Sequence, residues 1–238
     1  MATETLSPKK VNWFVAMMSS SLGRKLIMAL TGLFLILFLV VHLIGNLQLL
    51  KGDNGEAFNK YAEFMGHNPL IQTISIGNFF FIFLHIVYAL VLTLQNTKAR
   101  PQAYAYSRPE KSSAWSSRNM GILGTIILIF LVVHLQNFWF QAKFGFTPEA
   151  TYGTQKVKDL YQITATAFSQ LWLVVLYLIA MIGLAFHLSH GFQSAFQTLG
   201  LNHIKYNGLI KTIGLLFSIL VPAAYAAIPL LMYLKSLN

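Results

Sequence analysis

The sequence predicts an all-α integral membrane protein of five transmembrane helices, and three observations carry that prediction. Five runs along the chain are mostly apolar over about 18 residues or more, the length a bilayer crossing requires. Of the 238 residues, 55% are hydrophobic and 10% charged, which is more apolar surface than one soluble core can hide. All seven acids, Glu4, Asp53, Glu56, Glu63, Glu110, Glu149 and Asp159, fall between the runs and none inside them.

In chain order, residues 1–23 form a segment ahead of the first span. It contains a short interfacial helix over Val11 to Met18 with the aromatic pair Trp13 and Phe14, followed by Ser19 to Ser21 as candidate caps. The spans themselves are expected at 26–50, 70–94, 120–140, 168–192 and 209–234. At about 1.5 Å per residue each can cross a hydrocarbon core of about 30 Å. The fifth carries Pro222 and Pro229, which remove helical hydrogen bonds and should kink it. No cleavable leader is expected, because the first apolar run starts near Leu26 and is too long for a signal sequence core. No Gly/Ser linker interrupts the chain, so residues 1–238 form a single membrane domain.

Loop charge sets the expected orientation. Lys9, Lys10, Arg24 and Lys25 precede the first span, and Lys98, Arg100, Arg108, Lys111 and Arg118 follow the second against the single acid Glu110. Lys205 and Lys211 follow the fourth, while the remaining loops carry acids among their bases. The positive side should be cytoplasmic, so the chain starts inside and ends outside. The formal net charge of +10 therefore belongs to membrane flanks and does not form a nucleic-acid stripe. With no cysteine, disulfides, thiolate metal sites and covalent haem attachment through Cys-x-x-Cys-His are excluded.

Histidines carry the chemistry. His42 lies in the first span, His85 in the second, His134 in the third, and His187 with His190 in the fourth; LVVHL occurs at 39–43 and again at 131–135. Counting helical rises from the inner end of each run puts His42 at ~24 Å and His134 at ~21 Å, with His85 at ~14 Å and His187 at ~9 Å. The histidines thus sort into an outer and an inner pair. Two imidazoles from different helices at one level are what a six-coordinate haem needs. Gly32, Gly77, Gly121, Gly124 and Gly183 serve either a macrocycle's approach to the backbone or close helix packing. Arg24, Lys25 and Arg118 serve either haem propionates or topology. Zinc or non-haem iron would call for converging ligands with carboxylates at depth, and the acids lie elsewhere. The same absence disfavours a transporter or pump built on buried carboxylates.

The stretches GRKLIMALTGLFLILFLVVHLIGNL, FIFLHIVYAL, LVVHLQNFW and FHLSHGFQSAF resemble the diheme cytochrome b membrane anchor of succinate dehydrogenase and fumarate reductase, in its one-chain, five-helix form. The resemblance covers essentially the whole chain. It implies one haem ligand from each of the first four helices, the first paired with the third and the second with the fourth, which agrees with the depth argument. It also implies His187 as the fourth ligand, four residues before Gly191, with His190 as a propionate or hydrogen-bond partner or a helix-end residue.

The resemblance further implies two haem b groups and no succinate chemistry on this chain. A flavoprotein subunit with FAD and an iron–sulfur subunit would dock on the cytoplasmic face of a bacterial cytoplasmic membrane. Quinone, usually menaquinone, is expected near the outer haem, where Glu63 could accept a quinol proton, His67 could relay it, and Asn46, Gln48 or Gln136 could bond a carbonyl. Two other classes remain open at this point: a cytochrome b of another dehydrogenase such as hydrogenase or formate dehydrogenase, and a cofactor-free transporter or receptor with pH-sensitive histidines.

Overall fold

The computed structural model describes residues 12–99 and 113–237 and is 84% helical. Glu4, Lys9, Lys10, Val11, Arg100, Arg108, Glu110 and Lys111 lie outside the described residues. Five helical segments are long and apolar enough to cross a membrane: Ser21–Leu50, Pro69–Lys98, Met120–Phe144, Leu171–Thr198 and Ile204–Ser236. The elements are α1 (Trp13–Ser19), α2 (Ser21–Asn46) with a 3-10 turn at Leu47–Leu50, α3 (Glu56–His67) and α4 (Pro69–Lys98). There follow α5 (Trp115–Arg118), α6 (Met120–His134), a π-helical stretch at Leu135–Phe140 and α7 (Gln141–Phe144). The chain ends with β1 (Glu149–Tyr152), β2 (Gln155–Lys158), α8 (Leu160–Phe168), α9 (Leu171–Thr198) and α10 (Ile204–Ser236).

Local chemistry sets the boundaries. The Ser20 hydroxyl accepts a hydrogen bond from the Gly23 N–H at 3.0 Å and donates to the Met17 carbonyl at 2.7 Å, which caps α2 and ties α1 to it. A Cβ on Gly23 would lie 1.9 Å from that same carbonyl oxygen, so only glycine lets α1 cross here. Asn68 caps α4 through the N–H groups of Leu70 and Ile71, with Pro69 in the first turn, where its missing N–H costs nothing. The fifth helix runs unbroken through Pro222 and Pro229, both buried against the bundle.

One predicted boundary is corrected. Apolarity starts the fourth span at Phe168, but Phe168 ends α8, and α9 begins at Leu171. Gln170 between them is extended, with φ −94° and ψ 110°. Phe168 packs its ring 5.1 Å from Tyr177, so its apolarity serves the core and not helix continuity.

The bundle has two unlike ends. Arg24, Lys25, Lys98, Arg118, Lys205 and Lys211 gather at the basic end, where the described residues include no acid. The opposite, hairpin end carries all five described acids. There the antiparallel β1–β2 hairpin and α8 close over α3 through Asn59, which is 1% exposed. Its amide donates to the Tyr152 hydroxyl and the Asp159 carboxylate, each at 2.9 Å, and its carbonyl accepts from the Tyr161 N–H at 2.8 Å. A β-carbon on Gly55, whose φ is +88°, would lie 2.3 Å from the Tyr161 ring, and one on Gly45 would lie 2.6 Å from the Tyr61 ring. The main apolar core, Leu49, Phe168, Leu173, Val174, Tyr177, Ile228 and Met232, sits just beneath this cap.

Candidate functional site

The four histidines of the first four spans meet in two pairs. His42 of α2 faces His134 of α6 with ring centroids 5.8 Å apart and planes at 85°. His85 of α4 faces His187 of α9 at 6.4 Å and 63°. The alternation, first helix with third and second with fourth, is the one the depth count predicts. The vertical separation is larger than that count suggests. The Thr31 hydroxyl lies 3.0 Å from His85 Nδ1, which fixes the two at one level, and His42 is eleven residues further along α2, ~16 Å nearer the hairpin end.

The pair nearer the hairpin end has aromatic surroundings. Phe38 stacks on His42 at 5.1 Å, and the Tyr225 ring lies 6.0 Å away. Phe130 and Phe138 flank His134 at 5.5 and 5.3 Å. The Tyr177 hydroxyl is 3.0 Å from His134 Nδ1. Tyr225, from the fifth span, donates its hydroxyl to the Leu39 carbonyl at 2.6 Å and so braces α2 one turn before His42.

Gly32 lies against the His85 ring, where a Cβ would meet Cε1 at an ordinary 3.6 Å. His187 Nδ1 is buried without a hydrogen-bond partner. Among the other glycines, Gly183 and Gly121 serve close packing, with Ile126 at 3.3 Å and Thr93 at 3.6 Å from a built Cβ, whereas nothing lies within 4 Å of one on Gly77 or Gly124. Some glycines of this set thus touch a neighbouring side chain, and others border open space.

The remaining predicted residues are less convergent. Arg24 shares a helical face with Thr31 and lies ~10 Å nearer the basic end, in a groove lined by Val15, Met18, Tyr88 and Val91. Lys25 is exposed. Arg118 donates to the Ser113 carbonyl of its own turn, and α5 rests on α9 through Trp115 and Phe186, 5.4 Å apart. His190 is partly exposed, three residues beyond His187. Glu63 and His67 meet on α3, Oε1 to Nδ1 at 3.2 Å, with the His67 side chain 76% exposed. Asn46 spends its amide on the His42 carbonyl at 2.7 Å. Gln48 is partly buried, and Gln136 is exposed on the π-helical stretch.

Four features escaped the sequence: Thr31, Tyr177, the π-helical stretch directly after His134, and Asn78. Asn78 is 7% exposed, with its Oδ1 buried and unpaired, two turns from His85 on the same face of α4. A threonine or tyrosine in an apolar run ordinarily bonds its own helix or the membrane interface, so neither stood out. Among the described residues no group of three or more His, Asp or Glu side chains could hold a metal ion; the pairs offer two nitrogens each. Compared with known proteins, the chain matches no family model, no curated protein and no solved structure.

Proposed function

We propose that this chain is the membrane anchor and diheme electron-transfer subunit of a succinate:quinone oxidoreductase, with one haem b held by His42 and His134 and a second by His85 and His187. The observation that carries the proposal is the pair of imidazole pairs, drawn alternately from four helices at two levels. Two imidazoles sharing one metal through bonds of about 2 Å, plus ~1 Å from nitrogen to ring centre, would lie about 6 Å apart. The distances of 5.8 and 6.4 Å fit that requirement. Two neutral nitrogens suffice as a protein donor set, because a porphyrin supplies the other four. The open space at Gly77 and Gly124 and the unpaired His187 Nδ1 also suit a site that receives a large group.

A haem bound at each pair would supply a one-electron couple suited to electron transfer. The residues of the chain provide the rest. The four histidines fix two sites ~16 Å apart across the membrane, and the apolar helices keep water from them. Arg24 places a positive charge at the basic end, on the face that leads to Thr31. At the hairpin end, Glu63 holds a carboxylate beside His67, where a quinol proton can be taken up.

In this proposal the basic end faces the cytoplasm of a bacterial cell, in keeping with the absence of acids among its described residues. The flavoprotein and iron–sulfur subunits dock there, and menaquinone exchanges at the opposite face. Succinate or fumarate is handled on the flavoprotein.

The test is to express the chain with a flavoprotein and an iron–sulfur partner in membrane vesicles and to follow the haem bands. Succinate should reduce both haems, and added quinone should reoxidise them. Haems that dithionite reduces but succinate does not would overturn the succinate assignment, and vesicles without haem bands would overturn the site.

A further inference from the structure

The inner pair contains a hydrogen bond whose direction the surrounding chemistry decides. Thr31 is 2% exposed, and its hydroxyl oxygen has three neighbours: the Ile27 carbonyl at 2.7 Å, the Met28 carbonyl at 3.2 Å and His85 Nδ1 at 3.0 Å. A hydroxyl has one proton and two lone pairs. Both carbonyls are pure acceptors, so the proton goes to α2's own backbone, and Thr31 can only accept from His85. His85 Nδ1 must then carry a hydrogen, which leaves the lone pair of a neutral imidazole on Nε2.

This is the arrangement by which a buried acceptor fixes the tautomer and the ring angle of a metal-ligating histidine. The rest of the inner site repeats no such device. His187 Nδ1 has no partner, and His85 is the member of the pair tied to another helix. At the other pair, the Tyr177 hydroxyl meets His134 Nδ1 with no competing acceptor among the described residues, so it can donate or accept. The assignment therefore holds for His85 and does not extend to its counterpart.

We infer that Thr31 is a positioning residue for the inner haem: by accepting from His85 Nδ1–H it presents Nε2 to the iron and, by strengthening that nitrogen as a donor, holds the inner haem at a lower reduction potential than the same histidine would give alone. The inference rests on the haem proposal above and adds a residue and a direction to it. The inner couple has its level set from α2, although neither of its two ligands lies on α2.

The test is a redox titration of both haems in the full chain carrying Thr31→Val or Thr31→Ser. Valine keeps the shape and removes the acceptor. The inner haem should then move to higher potential by roughly three- to tenfold in its ferric-to-ferrous equilibrium, tenfold being about 59 mV for one electron, with the outer haem unmoved. Serine keeps the hydroxyl and should leave both potentials where they were. Loss of the inner haem alone in the valine variant, restored by serine, would equally support a positioning role. An inner potential unchanged by valine, or a shift confined to the outer haem, would overturn the assignment. Should the valine variant fail to accumulate, serine decides: a native inner potential supports the inference, and a displaced one contradicts it. Absence of haem from the unsubstituted protein would instead refute the haem proposal itself, which separates the two failures.

Discussion

Around His42 and His134 the neighbours are large and aromatic, and the chain closes over them; at the second pair, His85 meets the Thr31 hydroxyl and Gly32 of another helix. The hairpin end invests α3, the β-hairpin and α8 in a cap held by Asn59, with the main apolar core directly beneath it. The basic end offers α1 lying across Gly23 and α5 against Phe186. The difference shows that equivalent imidazole pairs can be held in two ways. One is fixed by packing, with rings wedged among rings. The other is tied through a hydrogen bond to a neighbouring helix.

The comparison breaks most directly at the histidines. His42→Ala or His134→Ala should remove the outer haem and leave the inner one, while His85→Ala or His187→Ala should do the reverse, halving pyridine haemochrome absorbance in each case. Loss of both haems from any one replacement would mean that the halves are not independent. His190→Ala should keep both; if it cost a haem that His187→Ala retained, the fourth ligand would have to be reassigned.

The next largest effect is expected at the hairpin end. Glu63→Gln preserves size and removes the base beside His67, so quinol oxidation should slow by about 10²-fold, while dithionite still reduces both haems. Unchanged quinol turnover would move the quinone site elsewhere, and loss of haem would make Glu63 structural.

A smaller effect tests the cap. Asn59→Ala leaves the Asp159 and Tyr152 groups and the Tyr161 N–H without their shared partner, for about 2–4 kcal/mol. Thermal unfolding should begin earlier, and the outer haem should be lost before the inner one. Equal release of both would deny that the cap serves the outer half selectively.

The smallest effect is expected from Tyr177→Phe, which removes one hydroxyl from a packed aromatic cluster. The outer haem should shift by less than the inner haem does in Thr31→Val, because its ring is held mainly by packing. A larger shift would show that the outer pair, too, is governed by its hydrogen bond.

Much of this architecture was legible in the sequence, because bilayer physics writes long signals. Apolar runs gave five spans, and the LVVHL repeat marked two helices that run in the same direction with their histidines at one level. What was hidden depends on contacts between distant segments. The hairpin at 149–158 is short and polar and helix α3 short and amphipathic, and both are held by Asn59 reaching about a hundred residues along the chain. Phe168 read as membrane because apolarity cannot separate a core residue from a span residue. Thr31 and Tyr177 were invisible because a hydroxyl announces its partner only when another helix brings a histidine beside it. Gln136 and Asn46 read as candidate quinone ligands by position; Gln136 is exposed, and Asn46 donates one amide hydrogen to the His42 carbonyl.

The most direct test of the central claim is the haem content of the purified chain. Two haem b per chain by pyridine haemochrome, with bis-histidine low-spin spectra and two separate midpoints in a redox titration, is the predicted result. One haem per chain, none, or a high-spin spectrum open to an external ligand would contradict the pairing of His42 with His134 and of His85 with His187.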